Sequence, residues 1–225
     1  MISKLPKWVE VGGFFLAFNA GFINAIGLLG FKHQAVSHLT GTTTFLSLAV
    51  ANTDFNEAWH LLLVMACFIL GAAFSGIVIG NTALKLGRRY SLALIAESIL
   101  LFISMSLLNH GSLVGHFFAS AACGLQNAMT STYSGAIVRT THVSGLFTDL
   151  GVAIGLRFRG QKTDARKVFL YLTLISGFTF GGIAGSLAFV RMQFSAMLVP
   201  SVFTAFIAVS YSLYLYYLAQ RQSGG

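Results

Sequence analysis

The chain has 225 residues, of which 56% are hydrophobic and only 9% charged, and its mean hydropathy is +0.77. Soluble domains carry about 25% charged residues, so a water-facing globular enzyme is excluded and a bundle of apolar helices is implied. The net charge of +8 does not indicate nucleic acid, because the basic residues fall between apolar stretches, where they govern membrane topology.

A membrane helix needs about 20 mostly apolar residues. Six stretches meet or approach that length: about 10–31, 59–84, 90–108, 112–130, 168–190 and 194–218. The first follows Lys4 and Lys7. It is longer than a signal-peptide core and lacks an evident cleavage site, so it reads as a span. It carries Ala20-Gly21-Phe22-Ile23-Asn24-Ala25. Next come His38-Leu39-Thr40-Gly41 and a short apolar stretch, about 39–51, then the acidic-polar connection Asn52–Glu57. The second long stretch has Ala72, Gly76 and Gly80 at spacing four, and the third holds Glu97. The fourth is the least apolar and carries Cys123-Gly124-Leu125-Gln126-Asn127-Ala128. After it come Thr140, Thr141, His142-Val143-Ser144-Gly145 and a second short stretch, about 143–156, with Thr148 and Asp149. A basic loop, Arg157–Lys167, leads to the fifth, which has Gly177, Gly181 and Gly185 at spacing four. Cys67 and Cys123 lie inside apolar runs and imply neither a disulfide framework nor a metal site.

The chain repeats itself. Asn24 matches Asn127 at an offset of 103, and His38 matches His142 at an offset of 104. The match continues through Thr44/Thr148, Leu46/Leu150, Leu48/Val152 and Ala49/Ala153. A single membrane domain over 1–225 is thus expected, with repeats at 8–108 and 111–218. The glycine stripes align at an offset of 105 and read as close helix contacts.

A run of 10–14 apolar residues is more often re-entrant than spanning. If both short stretches enter and leave on one side, and the N-terminus is cytoplasmic, only Lys32 and Arg191 of the 14 Lys and Arg residues lie outside. Letting both short stretches cross divides the charges far more evenly. A seven-span model scores nearly as well by charge but breaks the repeat. Six spans give three crossings per half, so the halves point in opposite directions, as in many secondary transporters. The expected fold is an all-α integral membrane protein with six transmembrane helices and two short re-entrant half-helices, in an inverted-topology repeat.

Polar groups inside a bilayer are costly and tend to be functional. The hydroxyls of Thr40, Thr44, Thr141, Ser144 and Thr148, with Gly41 and Gly145, open the short helices. They either cap those helices or help bind a solute there. Unpaired N–H groups and the helix dipole at such a start favour an anion or a carbonyl oxygen. Asn24, Gln126 and Asn127 either bind solute or brace the re-entrant loops. His38 and His142 suit a proton or a hydrogen bond; a metal site lacks further ligands, and none is expected. Asp149 shares a helical face with His142 and is either a relay partner or an ion-pair partner for Arg139, Arg157 or Arg159. Glu97 is the other acid within the apolar stretches.

These motifs resemble the YoaK family of bacterial membrane proteins, a family of unknown function. The resemblance spans essentially the whole chain and rests on Ala20-Gly21-Phe22-Ile23-Asn24-Ala25 with Thr40-Gly41, and on Gly124-Leu125-Gln126-Asn127-Ala128. The family commonly has Asp where this chain has Asn24, and Asn where it has Thr42. The resemblance implies a bacterial inner-membrane protein and supplies no substrate.

The expected function is secondary transport of a small polar or anionic solute, with proton coupling through Asp149 or Glu97. Binding would fall to Asn24, His38, Thr40, Gly41, Thr44, Gln126, Asn127, Thr141, His142, Ser144, Gly145 and Thr148. The alternatives are a passive channel and a non-transporting sensor or assembly protein. The chain has no Walker A, G-x-S-x-G or H-E-x-x-H motif, so neither an enzyme nor a cofactor is expected. Expected partners are the solute, protons, anionic lipids at the basic loops and further copies of the chain. Both termini are expected in the cytoplasm.

Overall fold

The computed structural model describes residues 6, 8–30, 36–80, 88–134 and 138–223. Four of the 14 Lys and Arg residues that set the topology, Lys4, Lys7, Lys32 and Lys85, lie outside them. Every regular element described is helical: α1 (Trp8–Gly30), α2 (Leu39–Ala51), α3 (Phe55–Ile79), α4 (Arg88–Asn109), α5 (Val114–Ser134), α6 (Val143–Phe158), α7 (Ala165–Met192) and α8 (Leu198–Ser223), with a 3-10 turn over Gln193–Met197 joining the last two. α2 and α6 have 13 and 16 residues, and each other α-helix has at least 21.

Length and apolarity suffice for membrane crossing in four described stretches: Trp8–Gly30, Phe55–Ile79, Arg89–Asn109 and Ala165–Tyr217. The last contains α7 and most of α8. α5 is long enough but does not reach that apolarity, because it carries His116, Ser120, Gln126, Asn127, Thr130 and Ser134. All but Asn127 of these are buried against the other helices. Outward faces are apolar instead: Ile77 is 81% exposed and Val190 75%, with Leu70, Phe180, Leu187, Phe206 and Leu213 also exposed. Apolar surface on this scale suits lipid rather than water. The architecture is that of a helical membrane protein.

The turns after the two short helices are built alike. The N–H of Asp54 reaches the Ala49 carbonyl, and that of Gln161 reaches Leu156. Each such ending needs one residue at positive φ; Gly160 supplies it in the second, and Thr53, at φ 58°, in the first. Asp54 then caps α3 by accepting from the Glu57 N–H, and Asp164 caps α7 by accepting from Arg166 and Lys167.

Two helix pairs meet backbone to backbone. A Cβ added at Gly21 would collide with the Phe178 carbonyl, and one at Gly181 with the Phe18 carbonyl. A Cβ at Gly177 would stand 2.6 Å from the Phe14 carbonyl oxygen. These contacts lock α1 to α7. Gly124 lies in the same way against the Phe68 carbonyl, and Gly71 against Ala121, locking α5 to α3. The correspondence between α3 and α7 is therefore Phe68 with Phe178 and Gly71 with Gly181, an offset of 110. The offset of 105 read from the stripes is wrong: Gly76 has nothing within 4 Å of an added Cβ.

Side-chain contacts give helix directions. Glu10 pairs with Arg166 at 2.6 Å, and farther along Phe18 meets Gly181, so α1 and α7 run parallel. His60 meets His116 at 3.0 Å and Ser120 donates to the Val64 carbonyl at 2.8 Å, so α3 and α5 run parallel. Trp8 packs on Tyr133 while Gln126 donates to the Leu16 carbonyl, so α1 and α5 run antiparallel. α4 and α8 cross through reciprocal bonds, the Ser98 hydroxyl to the Ser201 carbonyl at 2.8 Å and the Ser201 hydroxyl to the Ser98 carbonyl at 2.9 Å.

These contacts separate buried from open glycines. Gly181→Ala should lower stability by more than about 2 kcal/mol, since a methyl group there forces two backbones apart. Gly76→Ala should leave stability within about 0.5 kcal/mol or raise it, because alanine is the better helix former. Thermal unfolding of both variants in detergent, followed by circular dichroism, checks the difference.

Candidate functional site

α2 and α6 each begin beside a polar residue of the preceding long helix. The Ser37 hydroxyl donates to Asn24 Oδ1 at 3.0 Å, and the Thr141 hydroxyl donates to Asn127 Oδ1 at 3.0 Å. Ser37 and Thr141 immediately precede His38 and His142. Each amide thus ties its own helix to the segment that starts the next short helix, as the bracing reading expects. Asn127 Nδ2 also donates to His142 Nε2 at 3.3 Å. That bond requires a neutral ring to carry its proton on Nδ1.

His38 and His142 hold the N-cap positions with nearly the same backbone, φ −97° and ψ 70° against φ −93° and ψ 57°. Neither side chain caps its helix. The first N–H groups of α2 and α6 have no intrahelical acceptor. The hydroxyls read as caps turn elsewhere. Thr44 donates to the Thr40 carbonyl at 3.1 Å and Thr148 to the Ser144 carbonyl at 3.0 Å. They lie inside the helix, where the carbonyl four residues back is the nearest acceptor. His38, Thr40, His142 and Ser144 are exposed. His142 lies within electrostatic reach of both His38 and Arg139, so the starts of the two short helices are near enough to act on each other. They are not identical: a Cβ at Gly41 would stand 2.9 Å from His38 Nδ1, whereas nothing lies within 4 Å at Gly145.

Three expected residues stand apart from this pair. Gln126 is buried and spends its amide on the Leu16 carbonyl at 2.7 Å, joining α5 to α1. Asp149 lies in hydrogen-bonding reach of the Tyr171 hydroxyl, with Lys167 alongside. These neighbours belong to α7, and no ion pair joins Asp149 to the arginines named from the sequence among the described residues. Glu97 is fully buried on α4 and accepts from Asn19 Nδ2 at 3.2 Å.

Several residues escaped the sequence reading. Ser37 is the counterpart of Thr141 and was findable from the repeat. Asn19 is an amide inside an apolar run, the signal that pointed to Asn24, but its match is Ala122 and the repeat does not mark it. Tyr171 and the His60–His116 pair carry no repeated partner either. Among the described residues no group of three or more His, Cys, Asp or Glu could hold a metal ion.

The profile of the family described as "Protein of unknown function (DUF1275)" matches residues 12–210. No curated protein and no solved structure matches the chain.

The brace is measurable as a coupling. Asn127→Ala and Thr141→Val should each destabilise the protein, by about 1 kcal/mol or more for a lost buried hydrogen bond. The double variant should lose less than the sum, because one bond is shared. Additive losses in a double-mutant cycle of thermal unfolding would remove the brace.

Proposed function

The chain belongs to the DUF1275 family, in agreement with the motif resemblance, and from its geometry we propose a secondary transporter for a small polar or anionic solute. The observation that carries this reading is the doubled arrangement of brace, histidine and uncapped short helix, with the two histidines in mutual electrostatic reach. Each copy offers imidazole nitrogens, a Thr or Ser hydroxyl and unpaired N–H groups at a helix start. Together these recognise an anion or a carbonyl oxygen without committing a fixed positive charge.

The proposed topology has six crossings, with α2 and α6 re-entrant and the halves inverted. Helix direction supports it. α1 is antiparallel to α5, and α3 is parallel to α5, so α1 and α3 run in opposite senses although α2 lies between them. A crossing α2 would make them run in the same sense. α5 and α7 stand in the same relation across α6. A seven-span chain would set α1 and α7 antiparallel, whereas the Glu10–Arg166 pair joins their starts. The broken helices then bring backbone dipoles toward the bilayer centre, the arrangement that suits a midplane solute site. In this topology the basic loop with Arg157, Arg159 and Lys162 faces the cytoplasm with both termini, against the anionic lipids of a bacterial inner membrane. Asp149, on the side of α6 that faces Tyr171 and Lys167, helps dock α6 on α7 in this reading and takes no part in coupling.

Two measurements test the proposal. Cysteines replacing Asn56 and Asn109 should react with an impermeant thiol reagent from outside the cell, and one replacing Gln161 should not. Small anions and polar metabolites are then screened for thermal stabilisation, which follows from mass action. For a stabilising solute, His38→Ala and His142→Ala should each weaken binding about tenfold or more, the loss of a hydrogen bond to a charged group. Uptake into proteoliposomes should saturate and should accumulate solute against its gradient. Downhill flux alone would assign a channel, and wild-type affinity in both histidine variants would place the site elsewhere.

A further inference from the structure

A second polar cluster lies at the centre of the helices, apart from the paired histidines. Glu97 on α4 is completely buried. Asn19 on α1 points its amide nitrogen at Glu97 Oε1 and at Thr204 Oγ1 on α8, each at 3.2 Å. The Thr204 hydroxyl gives its own proton to the Pro200 carbonyl at 2.7 Å. All the donors of this group are thereby committed, and the second carboxyl oxygen, Oε2, has no hydrogen-bond partner among the described residues. Cys123 on α5 is the titratable group facing Glu97. α1 and α8 bring only the neutral Asn19 and Thr204, and no Lys, Arg or His acts on it among the described residues.

We propose that Glu97 is an exchangeable proton-binding site at the junction of α1, α4 and α8. A carboxylate enclosed by neutral groups is severely penalised by lost hydration, whereas a carboxylic acid is not. Binding forms an O–H bond at Oε2 and removes the charge; release breaks that bond and passes the proton to water. A metal cation fits poorly, because it needs several oxygen ligands and the nearest group turns an N–H donor toward the carboxyl. The packed junction accepts the neutral group. Releasing the proton must therefore either admit water or part α1 from α4 and α8. The site occurs once, since Asn19 is matched by Ala122 in the other half. The proposal does not depend on which solute the histidine pair binds, or on whether it binds one.

The test is infrared spectroscopy of the full chain in lipid vesicles across pH, with protons as the probe. The expected result is one carboxylic-acid carbonyl band that disappears as pH rises, is absent in Glu97→Gln and is unchanged when choline replaces sodium. Should Glu97→Gln fail to fold, carbon-13 labelling of glutamate assigns the band, since the chain has only Glu10, Glu57 and Glu97. Asn19→Leu then supplies a second check: removing the hydrogen bond to Oε1 should move the band to higher frequency. Three results would overturn the proposal. They are carboxylate bands alone at every pH, an acid band that persists at every pH the fold survives, and a band that vanishes on adding sodium at constant pH.

Discussion

The backbone-to-backbone approach of α1 to α7 and of α5 to α3 is the constraint on which the rest depends. Gly21, Gly177 and Gly181 in one pair, and Gly71 and Gly124 in the other, remove the side chains that would hold the helices apart. Lipid tails are as apolar as the helices, so burial of apolar surface cannot drive this association. Close packing has to do so, and only glycine permits it here. Each pair joins one helix from either half of the chain, so neither half folds around its own core. The two larger buried clusters reflect this by mixing residues of both halves, such as Ala17 and Tyr90 with Tyr133 and Leu174.

This exchange also positions the histidines. α1 carries Asn24 and is clamped to α7; α5 carries Asn127 and is clamped to α3. Each amide reaches across to the residue before a short helix and sets where that helix begins. The long helices are thus rigid supports, and the short ones are held mainly at their starts and by a single neighbour, α2 by α3 and α6 by α7. Elements with few partners are those that move at low cost. In the proposed transporter, a rigid frame with two lightly held short helices suits a site that must open to each side in turn.

Much of this was legible in the sequence because the repeat marks residues twice. The helix order follows from hydropathy, and the two short helices with their paired amides and histidines from matched positions. Where a feature lacks a match, the reading loses depth and direction. The depth of Glu97 was unreadable, and it proved central because α1 and α8 close over it. Asp149 shares a face with His142, but seven residues of helix separate them by about 10 Å, and Tyr171 on the neighbouring helix is nearer. Of the two glycine stripes, Gly177, Gly181 and Gly185 pack on α1 as read, while the first failed for another reason. Spacing of four is satisfied on more than one face, and a shift of five residues turns a helix by about 140°. Only the partner helix decides which face is buried, so Gly71 packs and Gly76 does not.

The central claim is that the halves interlock and bring the two histidines to one site. Cross-linking tests it most directly. In a chain lacking Cys67 and Cys123, His38→Cys and His142→Cys are combined, with a protease site inserted between α4 and α5. Short bifunctional thiol reagents are applied in lipid vesicles before cleavage. The account predicts that the two halves of a single chain stay joined after cleavage, as they should for the control pair Ser98→Cys and Ser201→Cys, whose hydroxyls lie 3.2 Å apart. Halves that separate with every reagent length while the control pair holds would contradict it.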